Sequence, residues 1–179
     1  MIEGDLPENP VKLFAKWFEE VEKNGGVEEA NAMTISSIGA DGFPKNRIVL
    51  LKKFSSDGFT FFTNYNSDKG KAILKNPKIG ISFFWPNLER QVIIKGTAKK
   101  ITEIESENYF NQRPRGSKIG AWASEQSTPI KSRKVLTERV KELETQFKDQ
   151  SIPKPKHWGG FIVVPNSCLL YTSPSPRDS

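Results

Sequence analysis

Residues 32–101 alternate short runs rich in β-branched and aromatic side chains with tight-turn dipeptides, Asp41-Gly42, Asp57-Gly58 and Pro86-Asn87. Two-residue turns of this kind join antiparallel neighbours, because parallel strands need a long crossover between them. The spacing predicts strands at residues 32–39, 44–53, 59–64, 79–85 and 89–101, folded as an antiparallel meander. Helical signals flank them. Asn9-Pro10 pairs a capping residue with a proline suited to a first helical turn, and Leu13, Phe14, Trp17, Phe18 and Val21 then form one apolar stripe before Gly25-Gly26. A short helix is expected at residues 67–75. Thr102 and Glu105 form a capping box that opens a helix carrying Tyr109 and Arg113, and Leu136, Val140, Leu143 and Phe147 mark a helix at residues 132–147. A last strand is expected at residues 160–164. Many short strands with a few helices describe a mainly β, α+β chain built around a small barrel.

Composition narrows the chemistry. The 179 residues suffice for one domain with a proper core, and no internal repeat divides them. One cysteine, Cys168, and one histidine, His157, leave a Cys/His zinc site short of ligands and a disulfide without a partner; any serine or cysteine triad would have to use His157, so no metal is expected. Neither a GxGxxG nor a GxxxxGK[ST] turn occurs. No apolar run reaches the length of a membrane span, which makes the cytoplasm the expected location and a membrane partner unexpected. The net charge of +6 could suit nucleic acid, as in a basic nucleic-acid-binding barrel, yet the basic residues are dispersed rather than clustered, and an anionic small ligand explains the excess equally well; no nucleic-acid partner is expected.

Residues 109–127, YFNQRPRGSKIGAWASEQS, gather two arginines, a phenol, several hydroxyls and an amide around a helix end. Tyr109 and Arg113 are four apart and would share one helix face. Pro114 stops that helix, and a new helix start at Ser117 would aim free N–H groups at the same anion that Arg113 grips. A solvated basic turn would read the same way.

This stretch, with RIVLLK at 47–52, LERQV at 88–92 and WGG at 158–160, resembles the pyridoxine/pyridoxamine 5′-phosphate oxidase family in order and spacing, from Asp5 in DLPENP to Pro165. The resemblance implies an FMN-binding split β-barrel, antiparallel and of Greek-key type with flanking helices. It also implies a homodimer with flavin at the subunit interface. Arg47, Ile48, Val49, Leu50, Leu51 and Lys52 would form the flavin-binding strand, with Arg47 near the phosphate and Lys52 near the ring and substrate. Positions 47 and 52 fall on opposite faces of a regular strand, so a bulge, a twist or the strand end must reconcile them. Phe62, Thr63, Asp68, Lys69, Gln91, Gln126 and Ser127 match further flavin contacts; Phe62 stands where the family often has tyrosine, and Asp68 where it often has arginine. Lys52, Tyr109, Arg113 and Ser117 would hold the 5′-phosphate of a B6 vitamer. The implied reaction oxidises pyridoxine or pyridoxamine 5′-phosphate to pyridoxal 5′-phosphate, with O2 giving H2O2. A non-catalytic flavin- or pyridoxal-phosphate-binding barrel, or a flavin oxidase of another substrate, would share these motifs.

The resemblance also implies two segments that this sequence does not show: a basic, tyrosine-containing arm upstream of Asp5, and a Trp-bearing segment with Arg-Leu-His beyond the last strand. In place of the latter stands CLLYTSPSPRDS, whose first eleven residues, Cys168 to Asp178, resemble a library-adapter translation codon for codon. The domain is therefore expected over residues 1–167. Residues 168–179 are expected to pack loosely, and the chain to be a poor oxidase without the family's catalytic Arg and His.

Overall fold

The computed structural model describes residues 9–24 and 26–172. Asp5 and its neighbours, and the tail from Ser173 with Pro174 and Pro176, lie outside the described residues. The elements in order are α1 (Pro10–Asn24), β1 (Ala32–Ile38), β2 (Pro44–Leu50), β3 (Lys53–Ser55), β4 (Gly58–Asn64), α2 (Asp68–Lys75), β5 (Lys78–Trp85), β6 (Arg90–Lys100), α3 (Glu103–Gln112), α4 (Arg115–Ala123), α5 (Arg133–Gln146) and β7 (Trp158–Thr172). The Pro86-Asn87 turn is a single 3-10 turn, Pro86–Leu88.

The strands form one seven-stranded sheet in the order β2-β1-β5-β6-β7-β4-β3, with every neighbouring pair antiparallel. Three hairpins, β1-β2, β3-β4 and β5-β6, are thus present as the turn signals predict. They are not joined as a simple meander, because the run expected at residues 44–53 breaks at Leu51 and Lys52. The break sends β3-β4 to the far side, where β4 pairs with β7. The sheet curls so that β2 and β4 approach again, and the Lys52 N–H donates to Thr60 O at 2.9 Å. The result is a split barrel rather than a flat layer.

The main core lies between α1 and the sheet. Asn9 Oδ1 accepts the Val11 N–H at 2.9 Å, and the apolar stripe then buries Phe14, Trp17 and Val21. Phe14 meets Phe59 edge-on at 5.1 Å and tilts over Phe83 at 5.1 Å and Trp85 at 5.9 Å, favoured aromatic geometries. A second cluster, Phe110, Ile119, Phe147, Ile152 and Trp158, ties α3, α4 and the end of α5 to the start of β7. This second cluster backs the functional cleft.

The last strand departs from expectation. It continues past Val164 to Thr172, pairing Cys168 with Ile94, Leu169 with Ile93, Leu170 with Val92, Tyr171 with Gln91 and Thr172 with Arg90. Cys168 and Leu170 pack against the core while Leu169 and Tyr171 face outward. The period-two alternation of CLLYT suits a strand whatever its composition, so these five residues do not pack loosely. A bulge between Lys95 and Gly96 adjusts the register where the extension begins.

Candidate functional site

Between the curled sheet and the α3-α4 pair lies a cleft of about 460 Å3. Its sheet side carries Ile48, Val49 and Leu50 from β2, and Phe62, Thr63 and Asn64 from β4; Lys52 and Lys69 add two amines. The helical side carries Tyr109, Arg113, Ser117, Gly120, Ala121, Ser124 and Gln126, with Trp158 from the start of β7. The strand end resolves the facing of residues 47 and 52. β2 stops at Leu50, Leu51 turns into the main core, and Lys52 reaches the cleft from outside the strand.

Lys69 owes its position to the start of α2. Ser67 caps this helix, its hydroxyl accepting the Gly70 N–H at 3.2 Å and donating to Asn64 O at 2.6 Å. A Cβ on Gly70 would stand 2.5 Å from Tyr65 O and 2.7 Å from Asn64 O, so only glycine lets the helix approach β4 this closely. Lys69 is buried, and its Nζ donates to Thr63 Oγ1 at 3.3 Å. Burial pushes its pKa down, the nearby Arg47 charge pushes it further, and Asp68 opposes both. An anion at this amine would relieve that strain on the charged form.

Arg113 forms the other cationic point. It is not within α3 but at its C-cap, in extended conformation, because Pro114 disfavours helical geometry at the residue before it. α4 begins at Arg115, two residues earlier than expected, with Pro114 at its N-cap and no side chain capping it; Ser117 sits in its first turn. The guanidinium lies over the Trp158 ring at 4.8 Å and the Phe110 ring at 5.7 Å. Among the described residues, its buried Nη1 has no hydrogen-bond partner. Burial lowers its pKa, and Tyr109 raises it. Burial in turn raises the Tyr109 phenol, which Arg113 partly offsets. Tyr109 stacks on Phe62 at 4.0 Å with the rings 15° apart.

Eleven residues expected from sequence thus line one cleft: Ile48, Val49, Leu50, Lys52, Phe62, Thr63, Lys69, Tyr109, Arg113, Ser117 and Gln126. Five do not. Arg47 donates from Nη1 to Asn46 O at 2.7 Å, although its charge reaches Lys69. Leu51 belongs to the core. Asp68 flanks Lys69 in the first turn of α2, where it complements the helix dipole. Ser127 lies beyond Gln126 with φ of 69°. Gln91 sits in mid-sheet between Phe84 and Tyr171. Sequence reasoning missed Asn64, Gly120, Ala121, Ser124 and Trp158 as lining residues. Only Trp158, within WGG, carried a usable signal; small and amide side chains acquire meaning here from what faces them. His157 is structural: its carbonyl accepts the Tyr65 N–H at 2.7 Å and its Nε2 lies 3.3 Å from Ala121 O.

The profile of the family described as pyridoxamine 5′-phosphate oxidase matches residues 19–147. A pyridoxine/pyridoxamine 5′-phosphate oxidase from Flavobacterium johnsoniae is 58% identical over 165 residues, covering 92% of this chain and 77% of the relative. Pyridoxine-5′-phosphate oxidase of Bos taurus is 48% identical over 157 residues, covering 88% of this chain and 60% of its own length. Among solved structures, PhzG from Burkholderia lata 383, in complex with tetrahydrophenazine-1-carboxylic acid, superposes with a TM-score of 0.89 at 21% identity, covering 97% of this chain and 85% of its own. A pyridoxamine 5′-phosphate oxidase-related, FMN-binding protein from Nostoc punctiforme gives 0.69 at 15% identity, covering 92% and 86%. The two structures share the split-barrel architecture, and the sequence matches carry the assignment: this chain belongs to the pyridoxamine 5′-phosphate oxidase family.

Proposed function

We propose that the cleft binds FMN together with a phosphorylated B6 vitamer, and that the protein oxidises pyridoxine or pyridoxamine 5′-phosphate to pyridoxal 5′-phosphate with O2 as final acceptor and H2O2 as product. The observation that carries this reading is the buried Nη1 of Arg113, unpartnered among the described residues, in a cleft that also holds Tyr109 and Ser117. A desolvated cation with an open donor is costly unless an anion completes it. The residues fit the flavin as well: Lys69, with the Arg47 charge behind it, suits a phosphate, and Thr63 and Gln126 offer polar groups for a ring edge. The bound flavin would supply the redox chemistry, accepting hydride from the substrate's C4′ and passing the electrons to O2. The chain's own residues orient the substrate: Arg113, Tyr109, Ser117 and Lys52 fix its phosphate, while the Phe62-Tyr109 stack walls off water beside it.

We further propose a homodimer. One outward face of the sheet exposes Ile48 by 75%, Phe84 by 66%, Leu169 by 60% and Tyr171 by 54%. The register links Ile48 through Thr34, Ser82 and Ile93 to Leu169, and Phe84 through Gln91 to Tyr171, so these residues share that face. Ile48 also lines the cleft. A second copy on this face would bury the apolar patch and could bring Gln91, remote from its own cleft, toward the partner's flavin.

A second reading, binding without turnover, has one observation behind it: among the described residues, the cleft lining includes no carboxylate and no imidazole. Anaerobic mixing of flavin-loaded protein with pyridoxine 5′-phosphate separates the two. Bleaching of the oxidised-flavin band supports the oxidase, a shifted but unbleached band supports a binding protein, and failure to take up flavin or vitamer refutes both.

A further inference from the structure

Arg113 is held in an unusual way. Its backbone N–H donates to Phe110 O at 3.1 Å, but its buried Nη1 has no partner among the described residues. What fixes the side chain is aromatic surface: the Trp158 ring at 4.8 Å and the Phe110 ring at 5.7 Å. A guanidinium lying against a ring keeps its N–H edge free for a planar, bidentate partner, while the ring restricts the rotamers of a long side chain. Trp158 also reaches the opposite partner of the same anion. Its ring stacks on Phe62 at 5.2 Å with 11° between planes, and Phe62 stacks on Tyr109.

Trp158 is itself firmly set. It is buried, opens β7, and pairs with Asn64 across the sheet. Its carbonyl accepts from Lys154 Nζ at 3.0 Å. The Lys154 side chain is only 3% exposed, and its ammonium also pairs with Glu103 Oε1 at 2.6 Å, at the start of α3. The buried ammonium thus pins the Trp158 backbone to the helix that ends at Arg113.

We infer that Trp158, anchored by Lys154 and Glu103, is a positioning residue that presents the unpaired edge of Arg113 to the substrate's phosphate. The inference rests on the placement of that phosphate at Arg113. Its test is a cycle of variants in the flavin-loaded protein, read by titration with pyridoxal 5′-phosphate and by flavin affinity. Trp158→Leu should weaken pyridoxal 5′-phosphate binding about tenfold, the range of a desolvated cation–π contact, and Trp158→Phe should restore most of it. Flavin affinity should not change. In an Arg113→Ala background the Trp158→Leu loss should vanish, because the indole acts through the guanidinium.

Equal losses in both backgrounds, or flavin affinity falling in step, would overturn the inference and make Trp158 a packing residue only. If Arg113→Ala itself leaves pyridoxal 5′-phosphate binding intact, the phosphate site has been misplaced and the inference falls with it. Should Trp158→Leu not fold, Trp158→Phe and Lys154→Met carry the same cycle, with losses of about threefold expected and unchanged affinity as refutation.

Discussion

Arg113→Ala removes the group on which the functional reading leans most. Its guanidinium is partly buried and, among the described residues, makes no ion pair and leaves Nη1 without a partner, so in the free protein only contact with the Trp158 and Phe110 rings offsets its desolvation. Two consequences have opposite signs. Truncation should leave the stability of the free protein unchanged or slightly raised, since lost contact with Trp158 is offset by relief of a buried charge. It should weaken binding of the phosphorylated substrate by one charge-assisted contact, about 1.5 to 3 kcal/mol, which is roughly 10- to 150-fold in affinity. Isothermal titration with pyridoxal 5′-phosphate, paired with thermal melts of the free protein, measures both. Affinity within about twofold of the parent, or a melt that drops sharply while the remaining folded protein binds normally, would refute the reasoning.

Other consequences concern the flavin side and the last strand. The folded-state pKa of Lys69 is depressed, so unfolding takes up protons between the folded and unfolded values, and stability should rise with pH across that interval. Lys69→Met should flatten this rise and weaken FMN binding; an unchanged stability-versus-pH curve would contradict it. Arg47→Ala should weaken FMN without affecting the vitamer, and loss of vitamer binding instead would mean that the two phosphate sites have been exchanged. Asp68→Arg should tighten FMN binding about tenfold by adding a cation beside Lys69, at about 0.5 to 1 kcal/mol of stability from lost dipole complementation; weaker binding would show that Asp68 is needed where it stands. Deleting residues 168–179 removes the pairings of Cys168 to Thr172 with β6 and the packing of Leu170, so it should cost about 2 to 5 kcal/mol in urea unfolding. An unchanged midpoint would mean that this part of β7 adds nothing.

The sequence made local structure legible wherever a signal is local. Turn dipeptides placed three hairpins, and the Thr102-Glu105 capping box opens α3 as expected, with the Glu105 N–H donating to Thr102 Oγ1 at 3.2 Å. Strand order was not legible, because nothing in the residues 44–53 themselves says that Leu51 would leave the strand for the core and send β4 to pair with β7. The strand through CLLYT was missed for a different reason: its resemblance to an adapter translation argued against any fold there, whereas alternation alone suffices once β6 offers an unpaired edge. At the site, motif residues found most of the lining. The arrangement of Arg113 against Trp158 was hidden, since the two are far apart in sequence and meet only once the start of β7 packs against the end of α3.

In the proposed site one cleft seats a flavin and a phosphorylated vitamer at separate cationic points. Spectral titration of the FMN-loaded protein with pyridoxal 5′-phosphate tests it most directly. A saturable change in the flavin band is expected with FMN retained, as is loss of that change in Arg113→Ala. Release of FMN as pyridoxal 5′-phosphate binds would show that the two compete for one anion site, and would rule out separate phosphate sites in the cleft.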